Sequence, residues 1–245
     1  MKFNTILIQG AMDIEVEYLK EELKINESKI IAGYEFCVGN INNTQVIVSK
    51  TLIGTINVTI ATTIGITYFK PDIVINQGIA GAHKSDIHTG DIIIGEKCCN
   101  INSYSMPKKA KDDGSNSLEW EPNKRAKDVK VANEDLTMLF YNSLKNNFNN
   151  KVYKGTLGSG DAFNREIDRI QWISSRFNTL CEDMESIGVY SACSQFDVPC
   201  IGIRIISNNE ITGEELDEEQ AINLQKMLLY VLAELYILEK MIKEM

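Results

Sequence analysis

The chain has 245 residues, of which 44% are hydrophobic and 24% are charged, and its formal net charge at pH 7 is -9. These fractions are those of folded globular proteins and exclude a disordered or fibrous chain. An acidic chain is also a poor partner for nucleic acid, because affinity for phosphate backbones comes chiefly from Lys and Arg. The length suits one α/β domain, so we predict that residues 1–245 form a single domain.

The N-terminal segment MKFNTILIQG has one Lys and a short apolar run, without the small-residue cleavage site of a secretory signal. No run approaches the roughly 20 apolar residues that a membrane helix requires. The six cysteines lack CxxC spacing and the two histidines lie away from them, so we expect reduced thiols and no metal site. We therefore predict a cytoplasmic protein with no membrane partner.

Apolar runs, helical periodicity and turn residues predict strands that alternate with helices along the chain. The predicted strands cover residues 5–9, 36–38, 46–49, 73–75, 92–94, 152–157 and 201–206. The predicted helices cover residues 13–23, 54–67, 133–144, 165–176, 184–195 and 218–243. A hairpin turn is expected at 42–44, loops at 76–81 and 158–161, and a long surface loop at 102–130. Asp183 is expected to cap the helix that begins at 184.

Continuous apolar strands between helices are typical of a mostly parallel or mixed sheet covered on both faces. Ligands of such sheets bind beyond the carboxyl ends of the strands. The segments 78–81, 159–163 and 207–209 each follow a predicted strand, so we expect them to meet in one pocket.

Four sequence blocks carry a family resemblance. They are GAMDIE at 10–15, NQGIAG at 76–81, SGDAF at 159–163, and DME at 183–185 followed by RIISN at 204–208. In this order they resemble the purine nucleoside phosphorylase and nucleosidase superfamily, and most closely its methylthioadenosine/S-adenosylhomocysteine nucleosidases. The resemblance implies a three-layer α/β/α fold with a central mixed sheet, a homodimer, and no metal or organic cofactor. It also implies a small-molecule purine nucleoside as substrate, with hydrolysis of the N-glycosidic bond of 5′-methylthioadenosine and S-adenosylhomocysteine to release adenine.

The same resemblance implies roles for individual residues. Glu15 would deprotonate the attacking water, which is typically worth about 10² to 10⁴-fold in rate. Met184 and Glu185 would hold the ribose, where Glu185 would offset the positive charge that develops as the bond breaks. Phe163 would stack on the purine beside backbone groups of Asn164. The other residues of the implied binding site are Met12, Ala80, Gly81, Asp183 and Ser207.

Spacing alone favours plainer interpretations of these residues. Glu15 and Glu185 would then be solvated carboxylates at helix starts, and Phe163 an ordinary core aromatic. Arg204 lies within an apolar strand, where an unpaired charge is costly, so we predict a carboxylate partner. Glu15 is one candidate partner, and the pairing would keep it ionised. Neither histidine is assigned a catalytic role, because no nucleophile motif accompanies them.

Asn208 departs from the nucleosidase pattern, which usually has an Asp there that protonates the purine. Asn cannot act as a general acid, but its amide can donate to N7, and relatives with Asn at this place accept 6-oxopurines. Ile79 also replaces a residue that is often small and polar in the family, and the Lys-rich segment 107–130 matches poorly.

Alternative functions therefore stay open. One is a purine nucleosidase of the 5′-deoxyadenosine, inosine or futalosine type, a second is a purine nucleoside phosphorylase, and a third is a purine-binding or storage protein. A phosphorylase needs a cationic phosphate pocket. The chain has no Arg before residue 125, and Glu15 would repel an anion, which favours water over phosphate.

Overall fold

The structure is a computed structural model that describes residues 3–23, 25, 27–41, 43–123 and 130–243. Strands and helices alternate along these residues. The strands are β1 (Thr5–Gly10), β2 (Glu27–Ile31), β3 (Tyr34–Ile41), β4 (Thr44–Lys50), β5 (Ile73–Ala82), β6 (Ile92–Asn100), β7 (Tyr104–Ser105), β8 (Glu121–Pro122), β9 (Lys130–Val131), β10 (Val152–Ser159), β11 (Thr179–Asp183) and β12 (Cys200–Asn208). The helices are α1 (Asp13–Glu22), α2 (Thr55–Phe69), α3 (Glu134–Asn147), α4 (Ile167–Phe177), α5 (Ser186–Phe196) and α6 (Gln220–Lys243). None of the described helices combines the length and apolar character that crossing a membrane requires.

The strands form a mixed sheet in the order β11-β10-β6-β12-β5-β1-β4-β3-β2. Its centre is parallel, with β5 between β1 and β12, whereas β6 runs antiparallel to β12. The end of β5 also pairs with β11. The strands β11, β10, β6, β12 and β5 therefore form a closed ring of hydrogen-bonded neighbours. This closure brings the ends of β5, β11 and β12 together.

Both faces of the sheet are covered, as the continuous apolar strands predict. Alternate residues of β1 point to opposite cores: Ile6 and Ile8 pack with α1, α3 and α6, while Leu7 packs with α2 and α5. The three-layer α/β/α architecture with a central mixed sheet is therefore confirmed.

Several predicted boundaries differ from those in the structure. Residues 76–81 form strand rather than loop, because their backbone pairs with β12 despite their small side chains. Likewise 158–159 belong to β10, and α5 begins two residues later than predicted. The hairpin between β3 and β4 is confirmed, although Asn42 of its turn lies outside the described residues. In the predicted loop 102–130, β7 pairs with β8 and β9 joins β6, while 124–129 also lie outside the described residues.

One side-chain hydroxyl is built into the sheet. Tyr190 of α5 donates from Oη to the carbonyl of Gly95 and accepts from the amide of Gly202 at 2.8 Å. These two glycines face each other on β6 and β12, and a Cβ on Gly95 would overlap the tyrosine oxygen. The hydroxyl thus replaces a direct bond between the strands and fixes α5 against them.

We expect Tyr190→Phe to lower the free energy of unfolding by about 1–3 kcal/mol, because it leaves two buried backbone groups unpaired. Denaturant unfolding measures this loss. Tyr68→Phe is the control, since Tyr68 is half exposed, and it should change stability by less than about 0.5 kcal/mol. Equal stability of the two variants would contradict the role given to the Tyr190 hydroxyl.

Candidate active site

A cavity of about 300 Å³ lies at the ends of β1, β5, β11 and β12, and its volume suits a small organic ligand. The sequence-selected residues that line it are Met12, Glu15, Ala80, Gly81, Phe163, Asp183, Met184, Glu185, Ser207 and Asn208. Asn164 lines a small adjoining recess instead, and Arg204 lies behind the cavity wall. The expected meeting of the three strand-end segments is therefore observed, while the chemical roles of these residues stay predictions.

Sequence reasoning missed part of the lining. The additional residues are Ala11, Ile53, Ile79, Ala162, Glu182, Leu216 and Glu218. Ala11, Ile79 and Ala162 belong to the quoted blocks, and Glu182 directly precedes one, so membership of a block was an available signal. Ile53, Leu216 and Glu218 lie outside the blocks, and only the three-dimensional fold brings them to the cavity.

Glu15 is buried, with only 4% of its surface exposed, although it lies in the first turn of a helix. Its Oε2 accepts from the amides of Ala11 and Met12 at 2.6 and 3.1 Å, and its Oε1 accepts from the amide of Ile79 at 3.0 Å. The solvated-carboxylate interpretation is therefore wrong. Burial raises the pKa of Glu15, and this outweighs the lowering by Arg204 and the three amides.

Gly78 of β5 lies directly against the Glu15 side chain. A Cβ at Gly78 would overlap the Glu15 carboxylate. Only glycine lets β5 pass this close to the acid, so the glycine serves close packing rather than a turn.

The carboxylate partner of Arg204 is Asp183, not Glu15. Nε of Arg204 donates to Oδ2 of Asp183 at 2.9 Å, and both side chains are 1% exposed. The guanidinium also donates to the carbonyl oxygen of Asn76 at 3.0 Å and to Oγ of Ser186 at 2.9 Å. Burial acts to raise the pKa of Asp183, but Arg204 and the Ser186 hydrogen bonds hold it below its ordinary value. Arg204 still acts to lower the pKa of Glu15, but burial of Glu15 outweighs this effect.

Asp183 also organises the start of α5. Its Oδ1 accepts from the amides of Glu185 and Ser186 at 2.9 and 2.8 Å. Asp183 therefore binds amides at the start of α5 as predicted, although the N-cap position itself is Glu185. The carboxylate of Glu185 accepts from the amide of Gly54 at 3.0 Å. Burial, with the nearby charge of Asp183, raises the pKa of Glu185 to about 7. Glu185 is thus held in place but not paired with a cation of its own.

At the other end of the cavity, Phe163 is 56% exposed, which contradicts its interpretation as a core aromatic. Asn208 is buried, and its Oδ1 accepts from Oγ of Ser207 at 3.0 Å. Its Nδ2 faces Oε1 of Glu210 at 3.4 Å. Arg165 forms an ion pair with Glu210 and lies 5.9 Å from the centre of the Phe163 ring.

Both histidines lie in hydrogen-bonded positions away from the centre of the cavity. His83 is buried between Thr179 and Glu182, and His88 pairs with Glu214 at 2.6 Å. In the part of the chain that the structure describes, no cluster of three or more His, Cys, Asp or Glu residues is arranged to bind a metal ion.

All charged residues that line the cavity are acidic, among the residues that the structure describes. Its charged lining residues are Glu15, Glu182, Asp183, Glu185 and Glu218, and no Lys, Arg or His from the described ranges lines it. Such a wall disfavours an anionic ligand and suits a neutral molecule with hydrogen-bond donors.

Comparisons with known proteins agree with this geometry. The family model described as the phosphorylase superfamily matches residues 5–235. A 5′-methylthioadenosine/S-adenosylhomocysteine nucleosidase of Geobacillus sp. (strain WCH70) is 31% identical over 224 residues, which cover 86% of this chain and 87% of the relative.

Two solved structures have the same fold. The Neisseria meningitidis 5′-methylthioadenosine/S-adenosylhomocysteine nucleosidase, in complex with methylthio-immucillin-A, has a TM-score of 0.80 at 22% identity and covers 94% of this chain and 99% of its own. The futalosine hydrolase of Helicobacter pylori strain 26695 has a TM-score of 0.79 at 24% identity and covers 94% and 98%. Because the family model matches most of the chain and the Geobacillus relative is 31% identical, this chain belongs to the phosphorylase superfamily and, within it, to the methylthioadenosine/S-adenosylhomocysteine nucleosidases.

Proposed function

We propose that this chain hydrolyses the N-glycosidic bond of a purine nucleoside and releases the free base, with Glu15 activating water and Glu185 binding the ribose. The observation that carries the proposal is a pair of carboxylates, the buried Glu15 and the partly buried Glu185, which line one cavity and whose pKa values desolvation raises. A carboxylate with a raised pKa is a better proton acceptor near neutral pH. The acidic wall supports water rather than phosphate as the nucleophile.

The proposed binding mode follows the two ends of the cavity. The purine lies against Phe163 near Asn208, and the ribose hydroxyls donate to Glu185 beside Met184. Asp183 and Arg204 act behind these groups by holding the start of α5. Met12, Ile53 and Leu216 form an apolar part of the wall that suits an alkylthio group at the 5′ position.

Two classes of base are candidates. The name of the Geobacillus relative supports the adenine nucleosides 5′-methylthioadenosine and S-adenosylhomocysteine. Asn208 supports a second candidate, a 6-oxopurine nucleoside of the inosine or futalosine type, since its amide can donate to the purine edge but cannot supply a proton.

We also propose that the protein is a cytoplasmic homodimer. Ile56 and Ile60 lie one turn apart on α2 and are 72% and 43% exposed, and Ile53, which precedes the helix, is 50% exposed. An exposed isoleucine stripe favours cover by a partner, and Ile53 continues it to the cavity. The six cysteines are all buried and unpaired, which supports a reducing compartment.

In phosphate-free buffer, we expect release of free purine from a nucleoside by the wild-type protein, and a kcat about 10² to 10⁴-fold lower for Glu15→Gln. Chromatography of the products measures both. Glu17→Gln is the matched control, because Glu17 is a half-exposed acid on the same helix, and its kcat should be unchanged. The Glu15→Gln protein should still bind the free base.

Two results would contradict this assignment. A strict requirement for phosphate, with ribose 1-phosphate formed, would identify a phosphorylase. A fully active Glu15→Gln variant would remove Glu15 from the reaction.

We expect Glu185→Gln to stabilise the unliganded protein at about pH 8 by about 1–3 kcal/mol, because it removes a charge that burial disfavours. The folded pKa of about 7 exceeds the unfolded value. Ionised Glu185 therefore destabilises the folded protein increasingly as pH rises from the unfolded pKa to the folded pKa, and this effect is complete above the folded pKa. Thermal unfolding across this range should show the two proteins converging in acid. Glu166→Gln, at an exposed position, should show no such pH-dependent difference.

For the dimer, we expect Ile56→Glu to produce a monomer in sedimentation velocity experiments, since it places a charge in the proposed interface. Met138→Glu is the control, because Met138 is an exposed apolar residue on α3, across the sheet from α2. A wild-type monomer, or a dimer that survives Ile56→Glu, would refute this interface.

A further inference from the structure

Two buried side-chain amides bind the backbone of α1 around Glu15. Gln77 of β5 is 1% exposed, and its Nε2 donates to the carbonyl oxygen of Glu15. Gln225 of α6 is fully buried. Its Oε1 accepts from the amide of Leu19 at 3.1 Å, and its Nε2 donates to the carbonyl oxygen of Ile14 at 2.7 Å. Three backbone groups of α1 are thus bound by two residues that are distant in sequence.

These contacts involve groups that a regular helix pairs internally. In an α-helix each amide donates to the carbonyl four residues earlier, which for Leu19 is the carbonyl of Glu15. Both members of this pair have a side-chain amide as partner, Gln225 on the amide and Gln77 on the carbonyl. The orientation of both side-chain amides is fixed, because a carbonyl oxygen only accepts and a backbone N–H only donates. The first half of α1 is therefore hydrogen-bonded to β5 and α6.

β5 contacts Glu15 at two places. Gln77 binds its backbone carbonyl, while the amide of Ile79 donates to its carboxylate at 3.0 Å. Gly10, at the end of β1, leaves room for this arrangement, since a Cβ there would lie 2.8 Å from Cβ of Glu15 and 2.9 Å from Nε2 of Gln77. Core strands are among the parts of a fold that open least readily. Both ends of Glu15 are therefore attached to a rigid element.

A purely structural interpretation explains these two glutamines less well. Glutamine is mostly an exposed residue, and an apolar side chain of similar volume would fill the same space. Gln77 and Gln225 are not part of the cavity lining, so they do not contact a ligand there. What they share is Glu15, because the α1 groups that they bind lie within about one turn of it.

A general base has to be placed accurately relative to the water that it deprotonates, since a misplacement of about 1 Å can cost about 10²-fold in rate. We propose that Gln77 and Gln225 are positioning residues for this base: they fix the backbone around Glu15, so that its carboxylate keeps its three amide contacts and its place in the cavity. Both act through Glu15. The inference rests on the proposed function, in which Glu15 activates water, and adds two residues to that mechanism.

The groups around Glu15 determine how a loss of position can be detected. Burial raises the pKa of Glu15, whereas Arg204 and the amides of three residues lower it. The charged groups near Glu15 on the elements packed against it are Arg204 of β12, Glu185 before α5, and Glu182, Asp183 and Glu218 of the cavity wall. Replacing an uncharged glutamine changes none of these charges. A Glu15 carboxylate that loses its amides therefore has a higher pKa.

The first test measures hydrolysis of 5′-methylthioadenosine as a function of pH. We expect Gln77→Met and Gln225→Met to lower kcat about tenfold and to change KM by less than about twofold, because Glu15 is misplaced while the substrate contacts remain. Since the base must be ionised to accept a proton, the acidic limb of kcat/KM should move to higher pH. Methionine is similarly long and unbranched but lacks the amide.

Tyr190→Phe is the matched control. It also removes a buried hydrogen-bonding group, but one that binds β6 and β12 rather than α1. Its pH profile should be that of the wild-type protein. A shift of the acidic limb in this variant as large as in Gln77→Met would attribute the shift to general loss of stability and overturn the proposal.

A second comparison uses the Glu15→Gln background. Because the glutamines act through Glu15, adding Gln77→Met should change the residual kcat of Glu15→Gln by less than about twofold. A merely structural role would lower kcat by the same factor in both backgrounds, and that result would overturn the proposal.

NMR titration of the Glu15 carboxyl carbon, assigned with Glu15→Gln, is a readout that needs no turnover. We expect a higher Glu15 pKa in Gln77→Met than in the wild-type protein, and an unchanged pKa in the folded variant would overturn the proposal. Gln77→Asn, whose amide is one methylene shorter, should act in the same direction and provides the same test if Gln77→Met does not fold. If 5′-methylthioadenosine is not hydrolysed, or if Glu15→Gln is fully active, the proposed function fails on this substrate, and the titration still decides whether Gln77 positions Glu15.

Discussion

The ion pair between Asp183 and Arg204 is the interaction on which the rest of the site depends. It joins the end of β11 to the interior of β12, and Arg204 extends the contact to Asn76 on β5. Removing one partner of such a buried pair typically costs about 3–5 kcal/mol, since the other charge is left uncompensated. Asp183 also holds the amides of Glu185 and Ser186. The position of Glu185 relative to the sheet therefore follows from this pair.

The same pair governs the electrostatics of the cavity. Burial acts on all three neighbouring carboxyl groups, but only Asp183 contacts the guanidinium and keeps a lowered pKa. Glu15 and Glu185 remain without a cation of their own, and burial raises the pKa of each. Arg204 thus compensates the charge of Asp183, whereas Glu15 and Glu185 have pKa values above those of ordinary carboxyl groups. Buried carboxyl groups without a cation lower the stability of the fold, a cost that functional sites often carry.

Much of the fold followed from the sequence, because apolar runs and helical spacing report local structure directly. The composition of segment 76–81 predicted a loop, but the segment is a strand because its backbone pairs with β12. The residues of the site were harder to predict where their positions depend on the register between strands that are distant in sequence. The pairing of β12 with β5 shifts between Ile206 and Asn208, and antiparallel pairing sets Glu182 opposite Gly81. No local pattern contains either contact, which is why Asn208 was selected from a block whereas Glu182 was missed.

Glu210 gives a physical reason for the asparagine at 208. Its Oε1 lies 3.4 Å from the Asn208 amide nitrogen, and Arg165 forms an ion pair with the same carboxylate. An aspartate at 208 would face Glu210 across this distance, and like charges so close disfavour ionisation of both. An amide instead donates to Glu210 and adds no charge to a cavity wall that already has five acids. The asparagine at 208 and the carboxylate of Glu210 are therefore mutually compatible, whereas two carboxylates at these positions would disfavour each other's ionisation.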